Sequence, residues 1–142
     1  MAEPTKGHLV FACGESLYGV AADLAAEVVT LPALTRVPGA PGHLLGVFAH
    51  RGEVVPVVDL LKLLGLGQGL EAWKRAVLVR TPKGALALTA TRVAGVSVLP
   101  LGLSPLAADG VRAHLLGPAR SPGGEVAIVE CQGLFEHLSR VG

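Results

Sequence analysis

Apolar and polar residues along this 142-residue chain fall into many short runs rather than long periodic ones. The clearest group spans 44–64, LLGVFAHRGEVVPVVDLLKLL. An apolar run, Leu44 to Phe48, meets a charged turn at Arg51-Gly52-Glu53. A second run, Val54 to Val58, is short and β-branched, the composition of a buried strand. Pro56 has no N–H, so it either sets that strand at a sheet edge or leaves one ladder bond unmade. Asp59 can accept the free N–H groups of a following turn, and the next residues, LLKLL, read as a short helix. The stretch predicts strand, turn, strand, cap, helix.

The same plan returns in 115–135, LLGPARSPGGEVAIVECQGLF. Leu44-Leu45-Gly46 aligns with Leu115-Leu116-Gly117, and Gly52-Glu53-Val54 with Gly124-Glu125-Val126. With a one-residue gap Asp59 falls opposite Glu130. The preceding segments also align, VFACGESLYGVAADLAAEVV beside VLVRTPKGALALTATRVAGVSV. Each reads strand, turn, strand, then a Val-rich segment. The chain therefore reads as two copies of one supersecondary unit, roughly 70 residues apart.

In order, residues 1–7 are expected to be a loose terminus. His8–Cys13 and Leu17–Ala21 form a hairpin about Gly14-Glu15-Ser16. Asp23 is expected to cap one helical turn, Leu24–Glu27, before Val28–Leu31 extends again. Leu34–Val37 is a short extended piece and Pro38–Gly42 a loop. After a glycine-rich connector, 65–72, the second copy opens with a strand, Arg75–Arg80. A Thr81-Pro82-Lys83-Gly84 turn and a return strand, Ala85–Thr89, follow. Val93, Val96 and Val98 occupy the place of Val28–Leu31. Residues 99–110 read as loop, Val111–Arg120 and Glu125–Cys131 as strands, and Gln132–Arg140 as a closing helix with Leu134, Phe135 and Leu138 on one face. Short strands at regular spacing with Gly/Pro turns indicate an all-β chain with short helices, a small barrel or a sandwich. We expect one domain over 1–142, with approximate subdomains 8–66 and 73–142.

Charge changes this picture in one respect. Lys, Arg, Asp and Glu make up 16% of the chain and the formal net charge is +1. That supplies no bulk field for nucleic acid or an anionic membrane, and so few charges leave apolar surface for a partner. No apolar run approaches the length of a transmembrane helix, and the start lacks a signal-peptide pattern. Cys13 and Cys131 are far apart in apolar contexts and are read as reduced core residues of a cytoplasmic protein. The histidines and cysteines are scattered, so no zinc cluster is expected. Phosphate-binding and dinucleotide fingerprints and the nucleophile elbow are absent. We expect no cofactor, no metal and no enzyme.

The order of motifs resembles the CheW family of chemotaxis coupling proteins. The resemblance is carried by VFACGESLYGV, by Thr35-Arg36-Val37-Pro38, and by Gly46-Val47-Phe48-Ala49-His50-Arg51-Gly52-Glu53-Val54-Val55-Pro56-Val57-Val58-Asp59-Leu60. The family's typical form of the last block is G-V-I-N-L-R-G-x-V-x-P-V-x-D-L. The resemblance implies two intertwined SH3-like five-stranded β-barrels with a C-terminal helix. It also implies a non-enzymatic adaptor linking the cytoplasmic tip of a methyl-accepting chemoreceptor to the regulatory domain of a CheA-type histidine kinase. The receptor tip would lie in an apolar groove between subdomains near Arg51, and the kinase would dock on a barrel end.

The expected groove brings Val28, Val29 and Leu31 to face Val93, Val96 and Val98. An amphipathic helix would lie in it, with Arg51 as a charged contact and His50 as a neighbour able to make binding depend on pH. The chain departs from the family pattern at Ala49-His50, at Leu88-Thr89-Ala90-Thr91 and at Val129-Glu130-Cys131. An accessory coupling protein that engages one partner is therefore an alternative reading. A small-ligand-binding barrel is another, and self-assembly through an edge at Pro56 a third.

Overall fold

A computed structural model of the chain describes residues 4–66 and 73–141. Its elements are β1 (Thr5–Cys13), β2 (Ser16–Ala21), β3 (Ala25–Thr30), β4 (Leu44–His50), β5 (Glu53–Val58), α1 (Leu60–Leu63), β6 (Arg75–Thr81), β7 (Gly84–Ala90), β8 (Arg92–Pro100), β9 (Leu115–Ser121), β10 (Gly124–Val129) and α2 (Cys131–Val141), with a 3₁₀ turn at Val111–His114 before β9. The strands form two five-stranded sheets, in the orders β8-β1-β2-β10-β9 and β3-β6-β7-β5-β4. The architecture is mostly β with few helices and a C-terminal helix, as the alternation and turn spacing indicate.

The repeat is visible in the pairing. Hairpin β1–β2 joins β8, β9 and β10, and hairpin β6–β7 joins β3, β4 and β5. Each sheet thus takes a hairpin from one copy and three strands from the other. The joins are parallel and equivalent: Ile128 lies opposite Gly19, and Val57 opposite Ala87. The helix starts are equivalent too. Asp59 accepts the Lys62 N–H at 3.1 Å, and Glu130 accepts the Gly133 N–H at 2.9 Å. Their own N–H groups donate to His43 and His114 carbonyls, both at 2.8 Å. Glu130 therefore does for α2 what Asp59 does for α1, satisfying a donor that the helix leaves free.

Side chains divide into three cores. Between the sheets lies a seam core that includes Phe11, Tyr18, Val20, Val77, Val79 and Leu88, with Leu60 of α1 and Leu134 of α2. The second sheet encloses Val29, Phe48, Val55, Val57 and Leu78. The first encloses Val10, Leu99, Val126 and Ile128. Fully burying one such side chain contributes about 1.5–3 kcal/mol, so the seam core helps hold the two sheets together. Both interiors close by lateral contact of outer strands. In the first sheet β8 meets β9. In the second, His50 of β4 is hydrogen-bonded to Glu27 of β3.

Several sequence expectations are corrected. Residues 5–7 are not loose: Thr5, Lys6 and Gly7 pair with Pro100, Leu99 and Val98. Leu24–Glu27 forms no helical turn. Leu24 closes a turn onto Ala21, β3 begins at Ala25, and Asp23 is ion-paired to Lys6 at 2.9 Å. The return of Leu24 O to the Arg80 N–H commits the segment to the sheet. Val111–His114 is 3₁₀ rather than strand, and Cys131 opens α2 rather than ending β10. Strand β5 is interior, between β7 and β4. Its ladder to β7 starts at Val57, one residue after Pro56, so the missing N–H falls before that ladder and Pro56 marks no open edge. Most of the connector, 67–72, lies outside the described residues, as do residues 1–3 of the expected loose terminus.

Candidate functional site

Strand β3 is an outer strand of the second sheet and β8 an outer strand of the first. Directly opposed residues on neighbouring strands share a face. Val28 lies opposite Val77, which belongs to the seam core, so Val28 points to the seam, and it is 44% exposed. Val96 lies opposite Leu9, which packs on the same core. Val96 is 67% exposed and Val98 69%. The bare backbone of Gly7 sits beside them: a Cβ there would meet Val96 Cγ1 at 3.8 Å and Ala22 Cβ at 3.9 Å. The lip of the seam therefore carries branched apolar side chains that the fold leaves uncovered.

The other expected groove residues sit elsewhere. Val93 is partly buried against the seam core, beneath the lip. Val29 is 7% exposed and belongs to the interior of the second sheet, against which Leu31 also packs. Strand alternation is the reason: Val28 and Val29 are consecutive, so they must point to opposite faces. Only Val28, Val96 and Val98 of the six offer seam surface.

Arg51 and Gly52 form the β4–β5 turn with φ of 51° and 81°, both in the left-handed region that matches a two-residue hairpin. Arg51 is the one non-glycine residue with positive φ among the described residues. Placing a side chain there costs about 1–2 kcal/mol. Its guanidinium is 74% exposed and lies 3.4 Å from Glu27 Oε1. The same oxygen accepts a hydrogen bond at 2.9 Å from His50 Nε2, which therefore carries the ring proton, since a carboxylate has none to give. The His50 hydrogen bond, with Arg51 and Arg80 adding attraction, holds the Glu27 carboxyl below its ordinary range. Arg80 in turn pairs with Glu53, the residue opposite His50. Phe48 meets the His50 ring edge-on at 5.9 Å between centroids.

Sequence reasoning found His50 and Arg51 but missed Glu27 and Arg80. Glu27 stands in a Val-rich outer strand, AAEVVT, where a carboxylate among apolar residues was the available signal. The remaining departures from the family pattern have local work. Thr89 Oγ1 accepts the Leu60 N–H at 3.0 Å, where α1 begins, and Thr91 Oγ1 accepts the Gly14 N–H at 3.0 Å. Among the described residues no group of His, Cys, Asp and Glu is arranged to hold a metal ion. Among the described residues no helix is long and apolar enough to cross a membrane. Cys13 and Cys131 are buried and form no disulfide.

Two five-stranded sheets, laced together by exchanged hairpins and bearing an uncovered apolar lip, are the features that place the chain among known proteins. The chain belongs to the CheW family: the CheW-like domain matches residues 7–138. Members of this family act as scaffold and coupling proteins in chemotaxis-type signalling, not as enzymes. Protein FrzA of Myxococcus xanthus is 32% identical over 131 residues, covering 89% of this chain and 82% of that protein. The crystal structure of scaffolding protein TtCheW from Thermoanaerobacter tengcongensis superposes with a TM-score of 0.75 at 26% identity, over 94% of this chain and 90% of that one.

Proposed function

We propose that this chain is a cytoplasmic adaptor that couples the tip of a chemoreceptor to a CheA-type histidine kinase. The observation that carries the receptor half is the seam lip. Val28, Val96 and Val98 stand on outer strands of different sheets and are 44%, 67% and 69% exposed. An amphipathic helix laid along the lip would cover them, the helix-in-groove mode of recognition. Arg51 reaches β3 through Glu27, the residue that precedes Val28 in the strand. The arginine occupies a left-handed turn position better suited to Asn or Gly, and a strained, exposed guanidinium suits contact with a partner.

The kinase half is assigned to the α2 end of the seam, where Phe135 and Leu138 pack on the seam core. There an apolar hollow of about 170 Å³ opens between α2 and the β4–β5 hairpin, lined by Pro41, Leu44, Pro56, Phe135 and Leu138. It suits an apolar contact with another domain's barrel end. The small-ligand reading draws no support from the sheet interiors, which are filled with their own side chains.

The test is a paired pull-down with a receptor signalling-tip hairpin and, separately, a kinase regulatory domain. Capture of both is expected, and Arg51→Glu should weaken only the first without lowering the melting temperature. Capture of one alone supports an accessory coupling protein. Capture of neither removes the adaptor role.

A further inference from the structure

A single carboxylate oxygen, Glu27 Oε1, is contested by two cationic groups. His50 Nε2 lies 2.9 Å from it and Arg51 Nη1 3.4 Å. The shorter contact belongs to an imidazole, the side-chain type that serves as a proton switch near neutral pH. The longer one belongs to a group that is always charged and whose side chain is 74% exposed. The other charges around His50 are Glu53, directly opposite on β5, and Arg80 on β6, which is bound to Glu53. Taking Glu27, Glu53, Arg51 and Arg80 together, fixed charges cancel, so the cluster's net charge is the charge of His50.

Resting on the docking role above, we propose that protonation of His50 decides whether Arg51 is held within the chain or offered to a carboxylate on the partner helix. With His50 charged, Glu27 is satisfied by the nearer imidazolium, and the guanidinium faces outward in a cluster of net positive charge. With His50 neutral, Glu27 keeps its charge and Arg51 becomes its only full counter-charge on this oxygen, so the guanidinium is drawn inward. The partner chemistry that fits is an amphipathic helix with apolar residues for the valine lip and an acidic residue for Arg51. Binding is then tighter in mild acid. The family form carries Asn-Leu before Arg-Gly, so the device belongs to the Ala49-His50 departure in this chain.

Two measurements on the full chain test this. In ¹⁵N-labelled protein, the Arg51 Nε–Hε resonance should move with the same midpoint as the His50 ring nitrogens. That movement should vanish in His50→Gln and in Glu27→Gln. Movement that persists in either variant, or an Arg51 signal that ignores His50 in the parent, overturns the proposal. Calorimetric binding of a receptor-tip helical hairpin should be about two- to five-fold tighter at about pH 6 than at about pH 8, the scale of one exposed charge pair. The His50→Gln variant should show no such dependence. Measurable binding with the same affinity at both pH values overturns the proposal. A hairpin that binds at neither pH counts against the docking role alone, and the resonance measurement still decides the switch.

Discussion

Replacing Val96 and Val98 together by alanine removes two methyl groups from each exposed side chain at the seam lip. At about 0.8 kcal/mol per buried carbon, a valine that passes from full exposure to full burial loses about 1.6 kcal/mol of transfer energy on truncation. These side chains are 67% and 69% exposed, so about two-thirds of that, roughly 1 kcal/mol each, remains to be gained on docking. The double variant should therefore weaken receptor-tip binding by about 2 kcal/mol, about 30-fold in Kd. The fold loses little in the same change, because the removed atoms touch solvent; lower strand propensity accounts for about 1 kcal/mol at most per residue. Calorimetry with the tip hairpin reads the first quantity and thermal unfolding the second. Val96→Thr/Val98→Thr, which keeps the branched stem, separates the two effects. Affinity within three-fold of the parent would refute the reasoning. So would a loss of binding that merely follows a loss of melting temperature. Val77→Ala, at the fully buried seam residue opposite Val28, should behave oppositely and cost about 2 kcal/mol of stability.

Gly46→Ala should destabilise by about 2 kcal/mol or more in urea unfolding, because the new Cβ lies 2.7 Å from the Thr35 carbonyl oxygen at φ of +151°. Gly39→Ala, with φ of +76° and nothing within 4 Å, should cost about 1 kcal/mol. Glu27 has a carboxyl held below its ordinary value of 4.5, so the folded state binds its proton less tightly than the unfolded chain. Its contribution is present above about pH 4.5 and is lost as pH falls through the lowered folded value. The stability difference between parent and Glu27→Gln should accordingly shrink below about pH 4.5. A constant difference down to acid unfolding would contradict the assignment. Burial pushes the Cys131 thiol up to about 12. It should therefore leave Ellman's reagent unreacted at about pH 8 in the native state and react once denatured.

Much of the architecture was legible because two copies of one pattern reinforced each other. The hairpins, the Asp59 cap and its Glu130 counterpart follow from local chemistry that a sequence displays directly. Hairpin exchange between the copies does not follow from local chemistry, and without the CheW resemblance the runs fit a barrel or a sandwich equally. Asp23 looked like a helix cap because a capping carboxylate and a carboxylate paired with Lys6 are alike in sequence; the ladder to β6 decided between them. The site was half legible. Val96 and Val98 sit two apart and share a face, as a strand requires. Val28 and Val29 sit one apart and cannot, so Val29 was lost to the interior. Glu27 escaped notice because its meaning comes from His50, 23 positions away, through the closing of a sheet.

The trade of hairpins has a consequence for what a single copy of the unit could be. Alone, β1 and β2 lack the outer strand and the parallel neighbour that complete their sheet, and β3 to β5 lack the hairpin that fills theirs. Those missing pieces are what an identical molecule would supply. A lone copy thus closes only as an interlocked twin with two equivalent ends. Fusing the twins into one polypeptide frees the ends to diverge, so one can specialise for a helix and the other for a domain. It also means that cutting the backbone between residues 66 and 73 would leave two fragments still clasped together, like links of a chain.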